Sequence, residues 1–320
     1  MVDRVAVVGA GEWGTALAQA AAIAGRSVTL VARAAAVVDE INQRHTNSRH
    51  LGAQQLSPGI VGSLGFEGAD LLILAVPAQA SRAALSALGR LDGLPVVLTA
   101  KGLEEGTLER QSEILAEIAP GAIPFVLSGP SFAVDLAAGR PTAVTLAGDD
   151  AAATEAIAAA LAGPSFRPYA AGDRIGVELA GALKNVYALA AGAVDGAKLG
   201  ASARSALIAR AFAELGRLLP ALGGQAATLA GLAGLGDLTL SCTSEQSRNY
   251  RTGVALGRGE KPPAQLLAEG VFTAPVAQRL AHKTGIDAPL IDAVNLLLGG
   301  NASIQTIVAG LMSRPLKREN

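Results

Sequence analysis

A glycine-rich loop near the start of the chain constrains the fold more than any other feature. The apolar run VAVV leads into GAGEWG at residues 9–14, and the alanine-rich stretch TALAQAAAIAG follows at once. A G-x-G-x-x-G pattern between a predicted strand and a predicted helix is typical of the first βαβ unit of a dinucleotide-binding domain. In such a unit Gly9 allows the tight turn, Gly11 lets a pyrophosphate approach the backbone, and Gly14 lets helix and strand pack closely. The alternative is a glycine-rich turn without a ligand.

Short β-rich runs alternate with Ala/Leu-rich stretches through the first half of the 320-residue chain. This pattern predicts an α/β protein with an N-terminal Rossmann-type, doubly wound parallel sheet. After Gly172 the alternation stops, and long helical segments predict an all-α C-terminal domain. We therefore expect a dinucleotide-binding domain over residues 1–173 and a helical substrate-binding domain over residues 174–320. The predicted strands are residues 4–8, 28–32, 71–76, 96–99, 125–127, 143–146 and 166–169. The predicted helices of the second domain are roughly residues 174–194, 202–222, 225–235, 244–257, 263–283 and 288–298.

Composition and charge exclude several classes of partner. The formal net charge is −1, so no broad cationic surface is expected for nucleic acid or anionic lipid, and a small ligand is favoured. Cys242 is the only cysteine, which excludes an intramolecular disulfide and is typical of a reducing compartment. The three histidines lack metal-ligand spacing, so no transition-metal site is expected.

Hydropathy indicates a cytoplasmic protein. The apolar stretches are broken before membrane length, for instance by Lys184 and Asp195, and the N-terminus lacks the apolar region of a signal peptide. We therefore expect no integral membrane segment. The oligomeric state is left open by the sequence, with a homodimer as one option.

The end of the second predicted strand bears on the choice of cofactor. Arg33 stands where enzymes that use NAD commonly carry an acidic residue for the ribose hydroxyls. A cation there can hold the 2′-phosphate of NADP instead, so the sequence favours NADPH. The alternative is a solvated arginine at a strand end.

Ligands of a parallel sheet bind beyond the carboxyl ends of its strands, and two such places carry polar groups. Lys101 follows the predicted strand 96–99 and places a flexible cation at the crevice. Gly129 and Ser131, in SGPSFA, follow the next strand, at a predicted helix start. Gly129 would let a ligand approach the backbone closely, and Ser131 offers a hydroxyl to a polar ligand. A surface lysine in a loop and an ordinary helix cap are the alternatives.

In the second domain, Lys184 lies on a predicted helix among small residues. Its neighbours on the same face are Ala180, Gly181, Ala188 and Ala191. Small neighbours leave room for a substrate, and a lysine in such surroundings can act as a proton shuttle. The alternative is a lysine that extends its ammonium group from a packed helix to solvent.

Asp237 follows the glycine-rich bend GLAGLG. Its carboxylate would bind a substrate hydroxyl or orient the ammonium group of the lysine, the alternative being a helix N-cap.

Further on, residues 243–246 fit a capping box, which predicts a helix that begins near Ser244. Ser247, Arg248 and Asn249 then combine a hydroxyl, a guanidinium and an amide, a donor set that suits a phosphate monoester. A charged, solvated helix face is the alternative for the arginine.

Six motifs occur in one order along nearly the whole chain: GAGEWGTALA, AKGLE, SGPSFA, ELAGALKNVYA, GLAGLGDLTLSCTS and QSRN. Together they resemble the bacterial NAD(P)-dependent glycerol-3-phosphate dehydrogenases. The resemblance implies an enzyme that interconverts sn-glycerol 3-phosphate and dihydroxyacetone phosphate by hydride transfer with NAD(P). Its substrate would be a small phosphorylated molecule. It also implies a role in supplying glycerol 3-phosphate for phospholipid synthesis.

The resemblance also implies roles for individual residues, with Lys184 as the proton acceptor. The implied cofactor contacts are Gly9, Gly11, Glu12, Trp13, Gly14, Arg33, Lys101, Ala133, Arg248, Leu267 and Glu269. The implied substrate contacts are Lys101, Gly129, Ser131, Lys184, Asp237, Ser247, Arg248 and Asn249. One departure is the run LAEG at residues 267–270, where the family usually shows VVEG.

Two other functions compete with this one. A β-hydroxyacid dehydrogenase or ketopantoate reductase would share the sheet, the helical domain and a helix lysine, but a carboxylate substrate gives no particular need for QSRN. A non-catalytic dinucleotide-binding redox sensor would keep GAGEWG but would have no use for Lys184 and Asp237.

Overall fold

The computed structural model describes residues 2–262, 268–300 and 302–315, and within these residues eight strands form one sheet. The strands are β1 (Arg4–Val8), β2 (Ser27–Val31), β3 (Ile60–Ser63), β4 (Leu71–Leu74), β5 (Pro95–Leu98), β6 (Ile123–Ser128), β7 (Thr142–Gly148) and β8 (Phe166–Ala171). All seven predicted strands are confirmed, with ends that differ by up to two residues. β3 was not predicted, because it is a short edge strand of four residues that includes a glycine.

The helices of the first half are α1 (Glu12–Ile23), α2 (Ala35–Arg44), α3 (Ser48–Leu51), α4 (Ser81–Ala87), α5 (Gln111–Ile118), α6 (Ala133–Ala137) and α7 (Ala151–Leu161). Those of the second half are α8 (Arg174–Gly196), α9 (Ala201–Ala221), α10 (Asp237–Thr243), α11 (Arg248–Gly257), α12 (Glu269–Thr284), α13 (Pro289–Leu298) and α14 (Ile304–Met312). The N-terminal Rossmann-type sheet and the helical C-terminal part agree with the predicted fold class.

The sheet order is β3-β2-β1-β4-β5-β6-β7-β8, and the expectation of a wholly parallel sheet is wrong at one place. β7 runs antiparallel to β6, whereas the other neighbouring pairs are parallel. The connection between these two strands contains only the short helix α6. α6 has five residues, about 7.5 Å of helix, so it does not carry the chain back along the length of β6, and β7 starts at the edge where β6 ends.

Two predictions for the helical half are wrong. Residues 225–235 form a 3₁₀ turn, Ala226–Ala230, and a π-helical turn, Leu232–Gly236, instead of one α-helix. No helix begins near Ser244, because Thr243 still belongs to α10, and the next N-cap is Ser247. The helices α10 and α14 were not predicted. The start of the predicted helix 263–283 lies outside the described residues, and the observed helix there is α12.

The centre of the helical part is α8. It is long and apolar enough to span a membrane, but the apolar window is buried inside the protein. Its second half packs against α11 through glycines on both helices, Gly192 and Gly196 facing Gly253 and Gly257. A Cβ on any of the four would lie 2.0–2.2 Å from a backbone carbonyl oxygen of the other helix. The two backbones are therefore in direct contact, and the start of α11 is held at a fixed place relative to α8.

Candidate active site

The three glycines of the first loop differ in what surrounds them. Gly9 has a φ of +110°, and a Cβ there would lie 2.4 Å from the carbonyl oxygen of Ala75. A Cβ on Gly14 would lie 1.9 Å from the carbonyl oxygen of Gly9, so only glycine lets α1 start so close to the turn. A Cβ on Gly11 would meet no described atom within 4 Å. Gly11 therefore leaves open space at the start of α1, where unpaired backbone N–H groups attract an anion.

A buried carboxylate joins two lysines from different parts of the chain. Asp237 is 1% exposed; its Oδ2 accepts a hydrogen bond from Lys101 Nζ at 2.6 Å and its Oδ1 accepts one from Lys184 Nζ at 2.8 Å. Lys184 also donates to Ser241 Oγ at 2.5 Å, and Lys101 donates to the carbonyl oxygen of Gly129 at 2.9 Å. Since an ammonium group has three N–H donors, each lysine keeps one that has no partner among the described residues.

The charges of this cluster depend on one another. Burial lowers the pKa of Lys101 to about 8, and although the carboxylate of Asp237 opposes this shift, the charge of Lys184 adds to it. Burial also works against ionisation of Asp237, but the two ammonium groups outweigh it and hold the pKa of Asp237 below its usual range. Two cations and one anion leave the cluster with a net positive charge that favours a bound anion or a developing alkoxide.

The local backbone explains how Asp237 reaches both lysines. The π-helical turn Leu232–Gly236 runs directly into α10, so Asp237 stands in the first turn of that helix. A Cβ on Gly236 would lie 3.3 Å from the ring of Pro130, which places this turn against the end of β6. Gly129 itself has a φ of +145°, a conformation that requires glycine. Its contribution is the carbonyl oxygen that holds Lys101.

The N-terminus of α11 also lines the site. Ser247 is the N-cap, and its Oγ accepts a hydrogen bond from the backbone N–H of Tyr250 at 3.3 Å. The backbone N–H groups of Arg248 and Asn249, in the first turn, have no partner inside the helix. With the guanidinium of Arg248 beside them, these donors can hold a phosphate group.

A cleft of about 710 Å³ brings most of the predicted residues together. The predicted residues that line it are Gly11, Glu12, Trp13, Lys101, Ser131, Ala133, Lys184, Ser247, Arg248, Asn249 and Glu269. Gly9, Gly14, Gly129 and Asp237 lie behind this surface and support it. Arg33 is exposed just beyond β2 and is not part of the lining. Leu267 lies outside the described residues.

Sequence reasoning missed several residues of the cleft. Ser241, one helical turn after Asp237, contacts Lys184, and Asn185 donates to the carbonyl oxygen of Lys101 at 2.7 Å. The spacing of four residues on α10 is a signal that a search from Asp237 could have used. His50, from α3, also lines the cleft. No local pattern marks this histidine, because it comes from a separate short helix.

A nicotinamide dinucleotide fits the unpaired polar atoms of the cleft. The Nε1 of Trp13 and the Oε2 of Glu269 are buried and have no hydrogen-bond partner among the described residues. Glu269 Oε1 accepts from the backbone N–H of Ala78 at 3.1 Å, and burial raises the pKa of this carboxyl group. A bound amide or ribose would supply the missing partners. Together with the open space at Gly11, these atoms match a ligand that has both a pyrophosphate and polar ends.

The fold and the cleft together define a class of protein. A Rossmann-type sheet carries the glycine loop, a helical domain supplies Lys184 and Asp237, and the cleft lies between them. This is the organisation of a two-domain, dinucleotide-dependent dehydrogenase.

Comparison with known proteins gives the family. Residues 4–154 match the family described as NAD-dependent glycerol-3-phosphate dehydrogenase N-terminus, and residues 173–309 match the corresponding C-terminus family. The chain is 50% identical to a protein of Brucella canis named glycerol-3-phosphate dehydrogenase (NAD(P)+), with 100% of both chains covered. The chain belongs to the NAD-dependent glycerol-3-phosphate dehydrogenase family.

Solved structures agree with this assignment. A crystal structure of glycerol-3-phosphate dehydrogenase from Coxiella burnetii matches with a TM-score of 0.90 at 35% identity, covering 98% of this chain and 99% of that one. A structure from Ralstonia solanacearum described as a ketopantoate reductase covers 99% and 100%, but with a TM-score of 0.60 at 16% identity. The second likeness concerns the fold alone.

Proposed function

We propose that this protein catalyses the reversible reduction of dihydroxyacetone phosphate to sn-glycerol 3-phosphate with NADPH or NADH. The observation that carries the proposal is that one cleft is lined both by the two lysines that bind Asp237 and by the donors of the α11 N-terminus. The first group suits the reacting carbonyl, and the second suits a phosphate at a distance from it. A substrate that is both a ketone and a phosphate monoester uses both ends.

We assign the proton transfer to Lys184. Its third N–H, which has no partner among the described residues, would reach the carbonyl oxygen of the substrate and deliver a proton as negative charge develops there. In the oxidation direction the same nitrogen would accept the proton of the C2 hydroxyl. When bound, the nicotinamide supplies or accepts the hydride at C2. Asp237 and Ser241 hold the nitrogen of Lys184 in place by accepting its other two N–H groups.

The phosphate of the substrate is assigned to the start of α11. Ser247, Arg248 and Asn249 would surround it with a hydroxyl, a guanidinium and two backbone N–H groups, all in a helix N-terminus that attracts anions. Binding energy from this remote group would position C2 for reaction. We assign Ser131 and the third N–H of Lys101 to the substrate oxygens near the sheet edge.

The proposed function is tested by an absorbance assay of NADPH and NADH oxidation with dihydroxyacetone phosphate. We expect turnover with this ketone and competition by inorganic phosphate. Ketopantoate, which has no phosphate, serves as the alternative substrate. Turnover of ketopantoate but not of dihydroxyacetone phosphate would assign the chain to the rival reaction, and binding of NADPH without any turnover would indicate a sensor.

We propose NADPH as the preferred cofactor, because Arg33 follows β2 where a 2′-phosphate would lie. Arg33→Asp replaces the cation by a carboxylate that repels this phosphate and accepts a hydrogen bond from a free ribose hydroxyl. We expect the ratio of kcat/KM for NADPH over NADH to fall by at least about 10-fold in the variant. An unchanged ratio would mean that Arg33 does not face the adenosine ribose.

The compartment and the assembly are also proposals. A single buried cysteine supports the reducing cytoplasm, where the product would be available for phospholipid synthesis. A homodimer is the proposed assembly, and light scattering of the purified protein measures it directly.

A further inference from the structure

A chain of amide hydrogen bonds links four segments around the cleft. The backbone N–H of Gly270 donates to Asn249 Oδ1 at 2.8 Å, and Asn249 Nδ2 donates to Asn185 Oδ1 at 2.9 Å. Asn185 Nδ2 then donates to the backbone carbonyl oxygen of Lys101 at 2.7 Å. The side chains of Asn185 and Asn249 are buried, with residue exposures of 4% and 8%. The chain therefore runs from α12 through α11 and α8 to the loop after β5.

Each link of this chain is next to a side chain that faces the cleft. The neighbouring pairs are Lys184 with Asn185, Arg248 with Asn249, and Glu269 with Gly270. Lys101 takes part itself. These hydrogen bonds therefore connect Glu269, which is assigned to the cofactor, with Arg248 and Lys184, which are assigned to the substrate.

The side chain of Asn249 has a task that a simple substrate contact does not require. The N-cap of α12 is Ala268, whose methyl group accepts no hydrogen bond. Asn249 Oδ1 instead accepts a hydrogen bond from the backbone N–H of Gly270, one of the N–H groups that have no partner inside the helix. A Cβ on Gly270 would lie 2.8 Å from that oxygen and 2.5 Å from the carbonyl oxygen of Asn185, so the contact needs glycine. The first residue of α12 is Glu269, the carboxylate whose Oε2 has no partner among the described residues.

We propose that Asn249 is a positioning residue that couples the substrate phosphate to the cofactor. When a phosphate is bound by the start of α11, the backbone of Asn249 is held, and its Oδ1 then holds the start of α12 with Glu269 in place for the cofactor. A ligand that orders what a second ligand needs makes the second bind more tightly, and the effect is reciprocal. The inference rests on the proposed function, because it takes NADPH and a phosphate substrate as the two ligands.

The test is the coupling between the two ligands in Asn249→Ala. NADPH and glycerol 3-phosphate do not react with each other, so the Kd of NADPH can be measured by fluorescence without and with saturating glycerol 3-phosphate. In the wild type we expect the Kd to fall by about 5-fold or more, the lower end of typical coupling between sites. In Asn249→Ala we expect the ratio of the two Kd values to be close to 1. Asn249→Ser, which is too short to reach Gly270, gives the same result if the alanine variant does not fold.

Asn295→Ala is the matched control. Asn295 Nδ2 donates to the carbonyl oxygens of Ala274 and Ile291, both at 2.9 Å, so it also holds α12 but lies outside the cleft lining. This variant should lose thermal stability and keep the wild-type ratio. A wild-type ratio of 1, or an unchanged ratio in Asn249→Ala, would overturn the inference even where the wild type oxidises NADPH with dihydroxyacetone phosphate. Absence of that turnover would count against the proposed function instead.

Discussion

Asp237 is the residue on which the charges of the cleft depend. Both of its oxygens accept from a lysine, and its own carboxylate is almost completely buried. Without it, two ammonium groups would lie close together with no carboxylate between them. With it, each lysine is held by a charged hydrogen bond and keeps a donor for the ligand. Removing one partner of such a buried set is costly, because it leaves a charge unpaired.

The first prediction concerns Lys184→Met, which keeps much of the side-chain volume and removes the ammonium group. If Lys184 transfers the proton, single-turnover hydride transfer at saturating substrate should slow by on the order of 10²- to 10⁴-fold. NADPH binding should stay near normal, because the glycine loop belongs to the other domain. The control is Lys283→Met, at an exposed lysine in the last turn of α12. A folded Lys184→Met protein with the wild-type hydride-transfer rate would exclude the catalytic role.

The second prediction is the pH dependence of kcat/KM for dihydroxyacetone phosphate. Burial lowers the pKa of Lys101 to about 8, so its charge is complete below this pH and is lost as the pH rises through it. The substrate phosphate is already doubly ionised above about pH 6. We therefore expect kcat/KM to fall above about pH 8, approaching 10-fold for each further pH unit.

Lys101→Arg tests this explanation, because arginine keeps its charge throughout that range. In this variant the decline near pH 8 should disappear, whatever the absolute rate. A decline at the same pH would point to another group.

At the scale of elements, the contact between α8 and α11 sets the distance between the two ends of the substrate. Lys184 is on α8, and the phosphate donors are at the start of α11. The glycines where the helices cross let the two backbones touch, so neither helix can shift toward the other. The length of substrate that fits between the lysine and the phosphate donors follows from this crossing.

The third prediction is the effect of Gly253→Ala at this crossing. The new Cβ would lie 2.0 Å from the carbonyl oxygen of Leu189, so α11 must move away from α8. We expect a loss of about 1–3 kcal/mol in the free energy of unfolding and a higher KM for dihydroxyacetone phosphate. Urea denaturation and steady-state kinetics measure the two effects.

Gly216→Ala on α9 is the matched control, because its Cβ would meet only a leucine methyl group at 3.9 Å. This variant should be more stable than the wild type by about 0.5–1 kcal/mol, as expected for glycine to alanine inside a helix, and should keep the wild-type KM. Equal effects of the two substitutions would show that the crossing is not special.

At the scale of the whole molecule, the two halves share their cores. Leu103, from the loop after β5, belongs to the apolar cluster of the helical half, and Val177 and Ala233 belong to a cluster on the sheet. Glu178, in the first turns of α8, accepts from the backbone N–H and the hydroxyl of Ser112 at 2.9 and 2.6 Å, at the start of α5. These shared contacts indicate that the halves unfold together.

The fourth prediction is that NADPH stabilises both halves in a single thermal transition. At a free concentration of about 100 times its Kd, a ligand that binds only the folded protein adds about 2.7 kcal/mol to the free energy of unfolding. For a chain of this length the melting temperature should rise by about 4 °C. Calorimetry that resolves two transitions, only one of which moves with NADPH, would show that the halves are energetically independent.

From the sequence, together with the family resemblance, we could predict the fold class, the glycine loop and eleven of the 23 residues that line the cleft. These are local properties: the GAGEWG turn requires glycine, buried strands require apolar runs, and AKGLE and SGPSFA follow strands whose carboxyl ends must share one edge. The motif order was also enough to indicate the family that the comparisons established.

The meeting of charges in the cleft, and the side chains that support them, could not be predicted from local sequence. Lys101, Lys184 and Asp237 are far apart along the chain, and no periodicity predicts that one carboxylate would serve both lysines. The reversed direction of β7 likewise follows from the short helix α6, and the start of α11 follows from the extension of α10 through Thr243, after which Ser247 is the N-cap. Such features depend on packing between distant segments, where contact free energies outweigh local preference.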